Sequence, residues 1–102
     1  MLDHVTIGVS DFAKARDFYD TALAPLGLSR LYGDGAHFAG YGEAPRAYFW
    51  IGIRDAVATG AHVAFAAKSR ADVDAFYRAA LSAGGRDNGG PGLRPNYAPT
   101  YY

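Results

Sequence analysis

The chain has 102 residues, half of them apolar, which is enough for one small domain with a hydrophobic core but not for two independent ones. Ten basic side chains balance ten acidic ones, so no broad field of one sign would attract nucleic acid or anionic lipid. Cysteine is absent, which excludes disulfides and thiolate sites and leaves histidine and carboxylate as metal ligands.

The N-terminal residues, MLDHVTIGV, lack a basic leader followed by a long apolar run, and nowhere does an apolar stretch approach the roughly 18 residues of a membrane span. We therefore expect a cytoplasmic protein whose partner is a small molecule and not a nucleic acid or a membrane.

The first predicted element is a strand, because Val5, Ile7 and Val9 alternate with small or polar residues that begin at His4. A helix follows, since apolar side chains recur at three- and four-residue steps from residue 12 to residue 23. Its N-cap is Ser10 or Asp11. We expect this helix to end at the turn that contains Gly27.

Three short strands are predicted next, at residues 28–32, 36–41 and 47–53, where the apolar period returns to two. Gly33-Asp34-Gly35 and residues 42–45 separate them with the residue types of turns. His37 is interpreted as a surface histidine of the middle strand. The first half of the chain is therefore a predicted βαβββ module.

The second half repeats the first. HVTIGVSDFAKARDFY at residues 4–19 corresponds to HVAFAAKSRADVDAFY at residues 62–77, so His4 pairs with His62 without a gap. This repeat predicts a strand from His62 and a helix capped by Ser69 that ends near Gly84-Gly85. We expect one domain over 1–102, with a first module at 1–57 and a truncated second module at 58–102.

Paired βαβββ modules that each begin with a histidine strand resemble the vicinal oxygen chelate superfamily, which includes glyoxalase I, bleomycin-resistance proteins and extradiol dioxygenases. The resemblance covers essentially the whole chain. It implies an α+β fold in which the paired modules curl their sheets into a cleft, with the second module incomplete here. It also implies a homodimer, as is usual in the family.

The resemblance further implies a divalent metal (Zn, Ni, Fe or Mn) in the cleft, with His4 and His62 at the two opening-strand ligand positions. The family takes a glutamate from the last strand of the second module, which this sequence lacks. The only glutamate, Glu43, lies in a turn. Either the chain continues beyond Tyr102 and supplies the carboxylate, or the site is vestigial; we favour continuation.

The substrate would be bound by Tyr48, Trp50, Arg94 and Tyr97. The wider aromatic set can line a cleft or belong to the core: Phe38, Tyr41, Tyr48, Trp50, Tyr97, Tyr101 and Tyr102. On the last strand we expect the face with Phe49 and Ile51 to pack under the helices. Arg86 and Arg94 either bind an anionic group or are solvated loop residues.

Three functions are compatible with these features. The first is a glyoxalase- or dioxygenase-like metalloenzyme, in which a divalent ion chelates neighbouring oxygens of a small substrate and stabilises the enolate or oxyanion that develops. The second is a metal-free protein that sequesters an aromatic or cationic compound, as bleomycin-resistance members do. The third is a module that serves mainly to dimerise.

Overall fold

The computed structural model describes residues 2–57, 59–94, 96 and 100–102. The elements in chain order are β1 (Val5–Val9), α1 (Phe12–Ala22), a 3-10 turn (Ala24–Leu26), β2 (Ser29–Gly33), β3 (Phe38–Glu43), β4 (Arg46–Ile53) and α2 (Arg70–Ser82).

The four strands form one mixed sheet in the order β1-β4-β3-β2. Strand β1 runs parallel to β4, and the other neighbours are antiparallel. Because a parallel pair needs a crossover, the chain leaves β1, forms α1 on one face and returns through β2 and β3 to β4. The predicted α+β class and the first βαβββ unit are thus confirmed.

Helix α1 begins where the Asp11 carboxylate accepts the backbone N–H of Lys14 at 3.1 Å, which selects Asp11 over Ser10 as the N-cap. The α-helix itself stops at Ala22, and the predicted turn with Gly27 follows it directly. Pro25 lacks a backbone N–H, and the chain tightens there into the 3-10 turn. Gly27, with φ of 77°, ends that turn in the left-handed region.

Helix α2 follows the predicted pattern, with the Ser69 hydroxyl accepting the backbone N–H of Asp72 at 3.1 Å. The prediction of a strand that begins at His62 is wrong, because residues 61–67 have no regular secondary structure. A strand needs a hydrogen-bonded neighbour, and the described residues supply none for this segment. It is held by Phe65, whose ring meets those of Phe49 and Phe76 at centroid distances of 4.9 and 6.3 Å.

The core lies between the sheet and the helices, and Phe49 and Ile51 are almost fully buried in it. The expectation that this face of β4 packs under the helices is confirmed. Tyr41, one of the aromatic residues that could have lined a cleft, is fully buried in this core. Its hydroxyl donates a hydrogen bond to Asp20 Oδ1 at 2.8 Å. Burial first, and the Asp20 carboxylate second, raise the pKa of Tyr41 well above its usual range.

Within the described residues, neither helix is long and apolar enough to cross a bilayer.

The β2–β3 hairpin is closed by the Asp34 carboxylate. Its Oδ1 accepts the backbone N–H groups of Ala36 at 2.9 Å and His37 at 2.7 Å, and its Oδ2 lies 2.8 Å from His37 Nδ1. These hydrogen bonds, led by the one from Ala36, lower the pKa of Asp34 well below its ordinary value of 3.8. The ionised carboxylate therefore fixes the turn that precedes Phe38.

We predict that Asp34→Ala lowers the urea midpoint of unfolding near neutral pH. Because the folded-state pKa is the lower one, the stability that Asp34 contributes is complete above the unfolded value of 3.8 and disappears as the pH falls through the folded value. The difference between variant and parent should therefore shrink in acid. The control is Asp55→Ala, which removes an exposed carboxylate that forms no hydrogen bond with the residues the structure describes. A difference that stays constant into acid would contradict this role.

Candidate functional site

The face of the sheet turned away from the helices carries the candidate site, which we call the open face. Because side chains alternate along a strand, Thr6 and Trp50 point opposite to Ile7 and Ile51, which pack in the core. Thr6 lies beside Trp50 in the register. On its other side, Trp50 pairs with Gly40 of β3.

Three aromatic side chains form a continuous surface on the open face, and we call this group, Tyr32, Phe38 and Trp50, the aromatic shelf. The rings of Tyr32 and Trp50 are stacked, with centroids 5.9 Å apart and planes 10° apart. Phe38 lies 6.3 Å from Trp50 at 32°. Tyr32 and Phe38 remain 48% and 43% exposed. The shelf is therefore a partly solvated aromatic surface of the kind that binds a planar partner.

Glycine allows the indole to lie flat on the sheet. A Cβ at Gly40 would be 2.7 Å from Cζ3 and 2.8 Å from Cε3 of Trp50. The Tyr32 ring is held from its other end, because its hydroxyl donates to the carbonyl oxygen of Pro45 at 2.8 Å. Two of the three shelf rings are thus fixed before any ligand arrives, which reduces the entropy cost of binding.

A β-bulge brings Tyr32 to the shelf. Arg30 pairs with Tyr41, but Tyr32 pairs with Gly40, so the register skips Leu31. An unbroken register would place Tyr32 opposite Ala39, which is fully buried in the core. The extra residue moves Tyr32 onto the open face instead.

Two hollows lie on the helix side of the molecule. An apolar cavity of about 540 Å³ lies between α1, α2 and residues 60–67, with Phe49 and Phe65 in its wall. A groove of about 870 Å³ runs along α2 and is lined by His62, Tyr77 and Arg94. Neither hollow includes a shelf residue.

The predicted substrate-binding residues are separated in the structure. Trp50 lies on the shelf, whereas Tyr48 packs against the core cluster, because the pairing of β3 with β4 skips it. Burial, and then the Glu43 carboxylate, raise the pKa of Tyr48. Arg94 lines the α2 groove and donates from Nη2 to the carbonyl oxygen of Gly90 at 2.5 Å. Tyr97 lies outside the described residues.

The two predicted metal ligands have different surroundings. His4 lies just before β1, with Nδ1 2.9 Å from Asp3 Oδ2 and a side chain that is 56% exposed. His62 is exposed and lines the α2 groove. Among the described residues, no three side chains of His, Cys, Asp or Glu are grouped to hold a metal ion. The described donor set therefore does not fit the metal centre that the resemblance implies, and ligation by His4 and His62 stays a prediction.

Comparison with known proteins agrees with this architecture. The family model described as Glyoxalase/Bleomycin resistance protein/Dioxygenase superfamily matches residues 1–100. The chain belongs to this superfamily. The match confirms the resemblance to this superfamily that the repeated sequence segments at residues 4–19 and 62–77 indicated.

A solved superfamily structure is similar over nearly the whole chain. It is the crystal structure of a glyoxalase/bleomycin resistance protein from Albidiferax ferrireducens T118, with 29% identity and a TM-score of 0.80. The match covers 97% of this chain and 83% of the other. The comparison with curated proteins gave no significant match.

Two open-face residues of this superfamily member were missed by sequence analysis. Tyr32 reaches the face only through the bulge at Leu31, which has no local sequence signal. Arg54 follows β4 directly and extends over Gly8. The sequence shows that Arg54 directly follows the strand that contains Trp50. It does not show in which direction the chain continues after β4.

We predict that Gly40→Ala displaces the Trp50 indole, because the new methyl group would overlap its six-membered ring. The variant should lose roughly 1–3 kcal/mol of unfolding free energy. Its fluorescence maximum should shift, and Trp50, the only tryptophan, reports this without interference.

Gly52→Ala is the matched control on the same face. Its Cβ would meet the His37 carbonyl oxygen at 3.6 Å and Phe38 Cβ at 3.8 Å, which are ordinary contacts. Emission spectra that are unchanged in both variants would show that Gly40 does not set the indole position.

Proposed function

We propose that this superfamily member binds a small, planar, largely apolar molecule by stacking on the aromatic shelf, as a metal-free binding protein. The observation that carries the proposal is the ordered stack of Tyr32 and Trp50 on a face where the rings remain partly exposed. A ligand ring placed there removes aromatic surface from water and adds a further stacked pair.

The fixed geometry of the shelf also favours planar over bulky ligands. Trp50 lies over Gly40, and the Tyr32 hydroxyl is bonded to Pro45, so neither ring turns freely to wrap a globular molecule. Flat rings gain most from such a surface, because offset stacking needs parallel planes. Sequestration of a planar compound is therefore the function that these contacts support best.

The test is an NMR titration of the Trp50 indole N–H signal with the uncharged planar probe 2-naphthamide. Cyclohexanecarboxamide serves as the non-planar comparison. We expect the planar amide to shift the indole signal at much lower concentration. Tyr32→Leu should weaken its affinity by about 1 kcal/mol, or about fivefold, through loss of the stacked pair.

The matched control is Tyr77→Leu, which removes an aromatic ring from the α2 groove. It should leave affinity unchanged. If Tyr77→Leu weakens binding and Tyr32→Leu does not, the ligand occupies the groove and the shelf proposal fails. It also fails if neither amide binds.

A metal-dependent glyoxalase- or dioxygenase-like activity is the second candidate, and the internal repeat favours it. The repeat places His4 and His62 at equivalent positions of two related segments, although the described residues group no three metal-ligating side chains around either of them. A bound divalent ion would supply Lewis-acid chemistry to a substrate with neighbouring oxygens. No step of the shelf proposal depends on this ion.

Equilibrium dialysis of the folded chain against Zn, Ni, Fe(II) and Mn separates the two candidates. We expect no stoichiometric metal and an unchanged shelf titration in the His4→Ala/His62→Ala variant. His37→Ala, which removes an exposed histidine held by Asp34, is the control. One equivalent of metal that the double variant loses and the control retains would support the metalloenzyme instead.

A homodimer is part of the proposal. Strand β1 pairs only with β4 among the described strands, so its outer edge presents unpaired backbone groups. Such an edge is commonly covered by another chain.

A further inference from the structure

Arg54 extends across the open face next to the aromatic shelf. A Cβ at Gly8 would lie 3.0 Å from Cβ and 3.1 Å from Cγ of Arg54, so the aliphatic stem lies beside this glycine of β1. A Cβ at Gly52 would lie 3.9 Å from Arg54 Nε and 3.8 Å from Phe38 Cβ. Arg54 and Phe38 therefore flank the same small residue of β4, with Trp50 two positions earlier on that face.

The Arg54 guanidinium forms no hydrogen bond or ion pair with the described residues. Other arginines of the sheet are paired: Arg30 with Asp20 at 3.2 Å, and Arg46 with Asp3. Asp55 lines the same hollow as Arg54, but its carboxylate is not within ion-pair distance of the guanidinium. Within the described part of the chain, none of the five N–H donors of Arg54 is used.

A second polar group faces the same space. Thr6 and Arg54 both line an open hollow of about 610 Å³ at the end of β1 and β4, whose wall also includes Asp55 and none of the shelf rings. Thr6 is the register neighbour of Trp50. A hydroxyl donor and a guanidinium fork at the border of an aromatic surface are complementary to a planar carboxylate.

We propose that the ligand of the shelf is an aromatic carboxylate, whose ring stacks on the aromatic shelf while its carboxylate accepts hydrogen bonds from Arg54. This inference rests on the proposed function of the shelf and adds the charge of the ligand. It assigns Arg54 as the residue that selects anionic over neutral ligands. Since the net charge of the chain is zero, the preference depends on this local cation and not on a global field.

The experiment compares 2-naphthoate, 2-naphthamide and 2-naphthylmethylammonium, which share a ring and differ in charge. Binding is followed by the Trp50 indole N–H signal and by calorimetry. We expect naphthoate to bind about tenfold more tightly than the amide, and the ammonium compound to bind most weakly. The advantage of naphthoate should decrease as salt is added.

Variants identify the residue responsible. Arg54→Gln should reduce naphthoate affinity to that of the amide while leaving the affinity for the amide unchanged. Arg54→Lys should retain part of the preference. Arg78→Gln, which removes a positive charge from an exposed position on α2, is the matched control and should change nothing.

The possible outcomes distinguish the role of Arg54 from the proposed function of the shelf. Equal affinity for naphthoate and the amide, or an unchanged preference in Arg54→Gln, overturns the role of Arg54 while the shelf proposal stands. Failure of all three probes to bind overturns both. A loss of preference in Arg54→Gln that also occurs in Arg78→Gln would indicate a general charge effect and would likewise overturn the assignment.

Discussion

The alternation of side chains along β4 is the constraint on which the rest of the structure depends. Phe49 and Ile51 point to the helices and are buried, so Trp50 must point to the other face. A shift of one residue would exchange the two sets, moving an indole into the core and aliphatic groups into water. The core therefore fixes the shelf, because the same strand supplies both.

Glycine residues on the open face allow long side chains to lie flat along the sheet. Gly40 and Gly8 face outward, and neither has room for a side chain. A Cβ at Gly40 would overlap the Trp50 ring, and a Cβ at Gly8 would meet the Ala56 carbonyl oxygen and the Arg54 stem. On an ordinary strand surface, larger neighbours would hold these long side chains upright. Here they lie along the sheet, so an aromatic plane and a guanidinium lie on one face of the sheet.

Local sequence signals were sufficient for most of the fold. Alternation identified β1, and the Ser69 cap with its apolar stripe identified α2. The site needed information that is not local. Tyr32 reaches the open face because β2 skips a residue against β3, and cross-strand register cannot be read from one strand alone. Trp50 was predicted, but its stacking partner was not.

The internal repeat also shows that local sequence does not determine which segments pair as strands. Residues 62–67 resemble residues 4–9 in sequence, yet only the earlier segment is a strand, because only β1 has a partner in β4. The helix of the repeat survives, since its hydrogen bonds are internal to it. His4 and His62 therefore lie in different local structure: one lies beside the first strand of the sheet, and the other lies on an irregular segment that lines the α2 groove. The shelf itself contains neither histidine, because its three rings all belong to β2, β3 and β4 of the first βαβββ unit.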